Sequence, residues 1–370
     1  MAYGTTYPNS VPTVALVGTG LIGGSLGLGL RRAGVKVRGF DADPHRLRRA
    51  LERGAVDEAA ASLADAMMGA DVAFVAVPVS GVAEAVGVAL EAGVGAVTDV
   101  GSVKAAVVRA VEAAHPEAGA RFVGGHPMAG SEHDGIEGAD ADLFTGATWV
   151  LTPTERTDPA AFTRVRDLVA ALGAEVVAVE PEVHDGLVAT VSHVPHLVAS
   201  ALMHVAASAS PNHETLLRLA AGGFRAMTRL SGRAAGIWPD ICVENREAIV
   251  EVLDRYVAEL GRARDLVQAA ERGPLLDFFE QARAEGHSLP ARSTGVGPLV
   301  ELSILVADRP GVLAEVTTLA GGHGVNIVDL EITHSATGGV LVMVVPEAGA
   351  DQIVNGLEER GYWVSRRTLE

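Results

Sequence analysis

A chain of 370 residues, 48% of them hydrophobic, exceeds what one hydrophobic core ordinarily holds, so two or three domains are expected. Its 29 Lys and Arg stand against 46 Asp and Glu, a formal charge of −17 that would repel a phosphate backbone and excludes nucleic acid as an expected partner. The opening MAYGTTYPNSVP carries no secretory signal, the apolar runs are broken by Pro, Gly or charge short of membrane-spanning length, and the single Cys242, read as a buried small hydrophobe, permits no internal disulfide; a cytoplasmic protein that engages no membrane is expected.

Between residues 11 and 180 short β-rich runs, TVALV, KVRGF, DVAFVAV, GAVTDV, RFVGG, TWVLT and AEVVAV, alternate with Ala-rich helical ones. That alternation predicts a parallel sheet with helices on both faces, a Rossmann-type α/β domain. From 181 to 285 the texture becomes helical, in VHDGLVATVSHVPHLVASALMHVAAS and ICVENREAIVEVLDRYVAELGRARDLVQAA, and an all-α domain is expected. Residues 286–298, GHSLPARSTGVGP, read as a linker. Residues 299–370 then spell strand, helix, strand, strand, helix, strand, the ferredoxin-like βαββαβ order.

The first chemical signal is VALVGTGLIGGSLGLGLRRAG, where Gly18, Gly20 and Gly23 fall between a strand and a helix. Glycine there lets the turn tighten and lets the backbone approach a pyrophosphate at the helix N-terminus. Leu21 and Ile22 lie inside the motif and are counted with the cofactor-binding residues. Asp41 ends the next strand at the spacing expected of an acid that accepts hydrogen bonds from the adenosine ribose. It would repel a 2′-phosphate, so NAD is favoured over NADP; Arg46 and Arg48 nearby are read as a solvated helix face.

Reacting groups in such a domain belong at the carboxyl ends of the strands. That selects DVGSVK, with Ser102 and Lys104, and GGHPMAG, with His126. Lys104 is left between touching the cofactor and capping a helix. A metal at His126, Glu132, His133 and Asp134 is not expected, since three adjacent residues do not readily converge on one ion and no H-E-x-x-H helix is present.

The motifs GTGLIGGS, DVGSVK, GGHPMAGSE, VSHVPH, AGGFRAMTR, IWPDI and EN, in that order between residues 13 and 285, resemble the prephenate dehydrogenase family of tyrosine biosynthesis. ADRPGVLAEV and VNIVDLEI resemble an ACT domain, a small module that commonly binds amino acids. The resemblance implies NAD-dependent oxidative decarboxylation of prephenate, or of arogenate, by a homodimer joined through its helical domain and inhibited by tyrosine. It implies His126 as the catalytic histidine, Ser102 as a serine bonding both that histidine and the substrate hydroxyl, and His196 as facing the substrate side chain. Arg229 matches the carboxylate-binding arginine, with Arg225 and Arg233 as competitors. Ser192 and Trp238 fall in the substrate pocket and Glu132 near its entrance. Gly311 and Asn326 are the candidate effector-binding residues. A different class of reading, an NAD and amino-acid sensor without catalysis, has against it the joint presence of Ser102, His126, His196 and Arg229. His133, His184, His193 and His204 are given no role.

Overall fold

The computed structural model describes residues 12–131, 135–208, 220, 222–232, 235–287, 298–307, 309–335 and 338–369. It comprises two compact units, Met1–Glu259 and Leu260–Glu370.

The first unit is built on an eight-stranded sheet of β1 (Thr13–Val17), β2 (Lys36–Phe40), β3 (Glu58–Ala59), β4 (Val72–Val75), β5 (Ala96–Asp99), β6 (Phe122–Pro127), β7 (Thr148–Thr152) and β8 (Glu175–Ala178), in the order β3-β2-β1-β4-β5-β6-β7-β8. The seven β-rich runs are all strands. The two-residue β3 carries no strand signal and joins only through the pairing of Arg38 with Glu58 and Gly39 with Ala59.

The expectation of a wholly parallel sheet requires correction. The first six strands are parallel, but β7 pairs antiparallel to β6, and β8 runs parallel to β7. No α-helix lies between β6 and β7, and without a helical crossover neighbouring strands run antiparallel.

Because successive side chains of a strand point to opposite faces, each strand feeds two cores. Val14, Leu16, Val72 and Phe74 pack on one face with α1 (Leu21–Arg32) and, further along the chain, the helix Pro159–Ala171. Ala15, Val17, Ala73 and Val75 pack on the other, with the helices Val79–Glu91 and Ala105–Ala114. In chain order these helices are α2 (Pro44–Glu52), α3 (Leu63–Met67), α4 (Val79–Glu91), α5 (Ala105–Ala114) and α6 (Pro159–Ala171). Trp149 on β7 is fully buried, 5.1 Å from Phe144 and 6.4 Å from Phe74 between ring centroids, and anchors the antiparallel strand.

The helical region opens with α7 (Pro181–Val188), a π-helical turn Ala189–His193, and α8 (Val194–Ser208). Together they form 28 continuous residues, long and apolar enough by length and composition to cross a membrane, which the sequence reading did not anticipate. Buried His184, Asp185 and His193 lie within this stretch, and Asp185 accepts the backbone N–H groups of Lys104 and Ala105. Such bonds make it a helix of the folded unit. Then follow α9 (Gly222–Thr228), α10 (Trp238–Glu244) and α11 (Arg246–Ala269), with Asn245 at the break between the last two. Cys242 is half-buried against the small core of Ala189, Val194, Ile249 and Val252, and burial raises its thiol pKa.

In the second unit α12 (Arg272–His287) runs past residue 285, where the helical domain was expected to end. After it come β9 (Leu299–Val306), α13 (Val312–Gly322), β10 (Asp329–Ser335), β11 (Gly338–Pro346), α14 (Glu347–Glu358) and β12 (Trp363–Leu369). The sheet order β10-β11-β9-β12, antiparallel throughout, is the ferredoxin-like arrangement. Val300, Leu302 and Ile304 alternate inward from β9 to meet Val316, Ile353 and Leu357. Gly311 holds φ 88° at the start of α13, with nothing within 4 Å of where a Cβ would sit, and Asn326 is exposed.

Candidate active site

At the turn from β1 into α1 the three glycines have different work. Gly18 has φ +87°, and a Cβ there would stand 2.3 Å from the carbonyl oxygen of Ala76; a Cβ on Gly23 would stand 1.9 Å from that of Gly18. Those two are required by packing. A Cβ on Gly20 would meet nothing within 4 Å, so this glycine borders open space. Gly20 is also the N-cap of α1 and supplies no side-chain cap, which leaves first-turn N–H groups, that of Leu21 among them, for an anion. Ile22 in the same turn packs against the core.

Asp41 is buried beside this turn. Its Oδ2 accepts from Thr19 N at 2.8 Å and Thr19 Oγ1 at 2.9 Å, and its Oδ1 accepts from Asp43 N at 2.9 Å. The acid thus braces the turn, and Oδ1 keeps acceptor capacity for a ribose hydroxyl. A groove of about 340 Å³ runs past Gly18, Gly20, Asp41, Arg46, Pro78 and Glu84. Arg46 lies 3.4 Å from the Asp43 carboxylate and Arg48 is exposed on α2. The glycine that opens on the groove, the uncapped helix start and the buried acid fit a dinucleotide.

Further along the strand edge, β6 delivers His126, held in register opposite Val150 of β7. The preceding Gly125 is clamped at both backbone groups: its N–H donates to Asp99 Oδ1 at 3.0 Å and its carbonyl accepts from Lys104 Nζ at 2.9 Å. Lys104 and Asp99 are fully buried and ion-paired to each other. Burial lowers the Lys104 pKa, against the opposing pull of Asp99 and Asp185. Lys104 therefore resolves to neither of its two expected roles alone. Its backbone starts α5, and its ammonium positions the strand that carries His126.

His126 Nδ1 lies 2.9 Å from His184 Nε2, and His184 Nδ1 lies 2.8 Å from Asp185 Oδ1. Burial, and after it the charges of His184, Lys104 and His193, hold the His126 pKa well below the ordinary histidine value. Among the described residues no hydrogen bond joins Ser102 to His126; half-buried Ser102 stands at the same strand edge. His196, on α8, is buried and stacks on Trp238 with ring centroids 3.6 Å apart and planes at 15°. Ser192 is half-buried on the π-helical turn. Asp240 of α10 lies 3.4 Å from Ser80 Oγ in the first turn of α4, which brings the Trp238 helix beside the cofactor groove. Arg229 is exposed in a 3-10 turn after α9, and Arg225 donates to Ala220 O at 3.1 Å. Glu132, His133, Asp134 and Arg233 lie outside the described residues.

Family models match the chain in three consecutive blocks: the nucleotide-binding domain of prephenate dehydrogenase over residues 26–178, its dimerization domain over 180–281, and an ACT domain over 300–360. The Bacillus subtilis prephenate dehydrogenase is 32% identical over 329 residues, 87% of this chain and 88% of that one. This chain belongs to the prephenate dehydrogenase family. A solved prephenate dehydrogenase from A. aeolicus, in complex with hydroxyphenyl propionate and NAD+, is similar with a TM-score of 0.71 at 30% identity, over 77% of this chain and 100% of that one. A Synechocystis arogenate dehydrogenase is similar with a TM-score of 0.66 at 31% identity, over 74% and 98%.

In this family member the residues that sequence reasoning missed are His184, Asp185, Asn245 and His193. Asn245 Nδ2 donates to the carbonyl of Asp185 at 2.9 Å and lies 3.1 Å from His193 Nδ1. The sequence held one faint signal, the adjacent His184 and Asp185 inside an otherwise apolar helix. Nothing local says that their partner is His126.

Proposed function

We propose that the chain catalyses NAD-dependent oxidative decarboxylation of prephenate to 4-hydroxyphenylpyruvate, in tyrosine biosynthesis. The observation that carries this reading is buried His126 at the strand edge, its strand clamped at Gly125 by Lys104 and Asp99 and its Nδ1 against His184. NAD, when bound, supplies the hydride acceptor. Gly18, Gly20 and the first-turn amides of α1 would hold its pyrophosphate, and Asp41 its adenosine ribose. Glu84 lines the groove with Asp41, so two acids oppose a 2′-phosphate against Arg46, which already faces Asp43.

His126 accepts the proton of the ring hydroxyl as the hydrogen on the same carbon departs as hydride. Departure of the ring carboxylate as carbon dioxide leaves its bonding pair in the ring, which becomes aromatic. The proton then returns from His126 to the phenolic oxygen, so no net proton is consumed. Ser102 is suited to bond the substrate hydroxyl. His196 on its Trp238 stack and Ser192 would line the side-chain end, and Arg229 offers a planar fork for a carboxylate. A sensor without catalysis would have no use for a buried imidazole relay.

The helical region would join two copies. Val183 and Leu187 lie four residues apart on one face of α7, exposed by 49% and 54%, and Val250 and Val257 lie seven apart on α11, both exposed. Tyrosine would act through the C-terminal module at the Gly311 turn and Asn326. A chain ending at Gly295 should then be less inhibited by tyrosine than the full chain; equal inhibition would place tyrosine at the active site.

The deciding experiment is a paired steady-state assay with prephenate and arogenate, each with NAD and NADP. Prephenate with NAD should give the highest kcat/KM. A comparable or higher value for arogenate would transfer the assignment to that substrate, and no NADH from either would leave a binding protein.

A further inference from the structure

His184 is fully buried, and both its ring nitrogens are engaged. Asp185 Oδ1 accepts from Lys104 N at 2.8 Å and Oδ2 from Ala105 N at 2.9 Å, at the N-terminus of α5, so both its oxygens act as acceptors. A carboxylate only accepts, so the proton shared with His184 sits on His184 Nδ1. Neutral His184 then presents Nε2 as an acceptor, and the proton between the two rings belongs to His126 Nδ1. The lone pair of His126 is thereby assigned to Nε2.

We infer that His184 and Asp185 are positioning residues that hold His126 in its Nδ1–H tautomer and leave Nε2 as the base for the substrate hydroxyl. The inference rests on His126 being the proton acceptor. When Nε2 takes the hydroxyl proton, the new positive charge is met by the His126 Nδ1–H bond to His184, whose own N–H is polarised by Asp185. The charged and titratable groups facing this pair come from four elements: Asp99 ending β5, Lys104 starting α5, His184 and Asp185 on α7, and His193 on the π-helical turn. Lys104 opposes positive charge on His126, and in this relay His184 serves as the acceptor. Asn245, bonded to the Asp185 carbonyl, braces the acid from the α10–α11 break.

Two measurements test this on the full-length chain. Long-range 1H–15N spectra of histidine-labelled protein, with the His126 ring assigned by its loss in His126→Asn, should show the proton on Nδ1. A proton on Nε2 would overturn the inference whatever the activity. In kinetics, His184→Leu should lower kcat with prephenate by roughly 10–100-fold, leave KM for NAD unchanged, and shift the acid limb of the kcat profile, because the His126 imidazolium loses its acceptor. His184→Gln, whose amide oxygen can accept from His126 Nδ1, should recover most of kcat. Equal losses in both variants with an unmoved profile would mark His184 as merely structural. A wild-type chain inactive on both prephenate and arogenate would sink the functional reading, while the ring spectrum would still decide the tautomer.

Discussion

The cofactor groove takes its turn, its helix start and its acid from residues 18 to 41, whereas the relay joins His126 to His184 across 58 positions of sequence. In the groove most constraints are local: Gly23 is forced by the carbonyl of Gly18, Gly20 opens on the ligand space and Asp41 closes on Thr19, while Gly18 alone is set from another strand, by the Ala76 carbonyl. In the relay each constraint belongs to a different element, with β6 presenting His126, α7 carrying His184 and Asp185, and α5 holding Asp185 by its N-terminal amides. The difference implies that binding and chemistry can be damaged separately. Changes in the glycine turn should act on cofactor affinity or stability, and changes where α7 meets α5 and β6 should act on proton transfer.

Replacing His126 by Asn is the strongest test of that separation. It should lower kcat by about 10²–10⁴-fold while NADH affinity, followed by fluorescence titration, stays near wild type. A matching loss of affinity would erase the distinction. Next in size, Lys104→Met strands the fully buried Asp99 charge, and urea denaturation should register a loss of about 3–5 kcal/mol. A milder loss would mean that water reaches Asp99 once the ammonium is gone.

Within the groove, Gly18→Ala and Gly20→Ala should part company. The first forces a Cβ onto Ala76 at a positive φ and should cost about 1–3 kcal/mol of stability, read as a lowered Tm. The second should keep Tm and weaken NAD binding, since its Cβ enters only the ligand space; unchanged NAD affinity would remove Gly20 from the pyrophosphate site. The smallest effect is on pH. Burial holds the His126 pKa well below 6.5 and lowers that of His193 to about 4. Both are neutral when folded and protonate more readily when unfolded, so their stability contribution is intact above about 6.5 and drains away as pH falls toward 4. Chemical denaturation at pH 7.5 and 5 should show lower stability at 5, and a His193→Gln variant should flatten part of that slope.

Much of the fold is legible in sequence because its signals are short-range. TVALV and DVAFVAV announce strands that feed apolar side chains to both faces, and the glycine turn announces its own geometry. The reversal at β7 is not legible, since TWVLT reads identically in either direction and only the missing crossover helix turns it round. The π-helical turn is hidden for a similar reason: ATVSH has nothing that distinguishes it from an ordinary helical turn. At the candidate site, RFVGG announces the strand whose end carries His126. Lys104 looks solvent-facing by residue type, and its complete burial depends on Asp99 and the Gly125 carbonyl meeting it from β5 and β6.

By itself, then, the sequence determined the three blocks of architecture, the glycine turn with Asp41, and the strand end that bears His126, because each is encoded within a few dozen neighbouring residues. Only the tertiary structure decided which nitrogen of His126 is engaged, its Nδ1. That choice is made by a histidine and an aspartate on another element, and a hydrogen bond between groups so distant in the chain exists only once α7 has packed against α5 and β6.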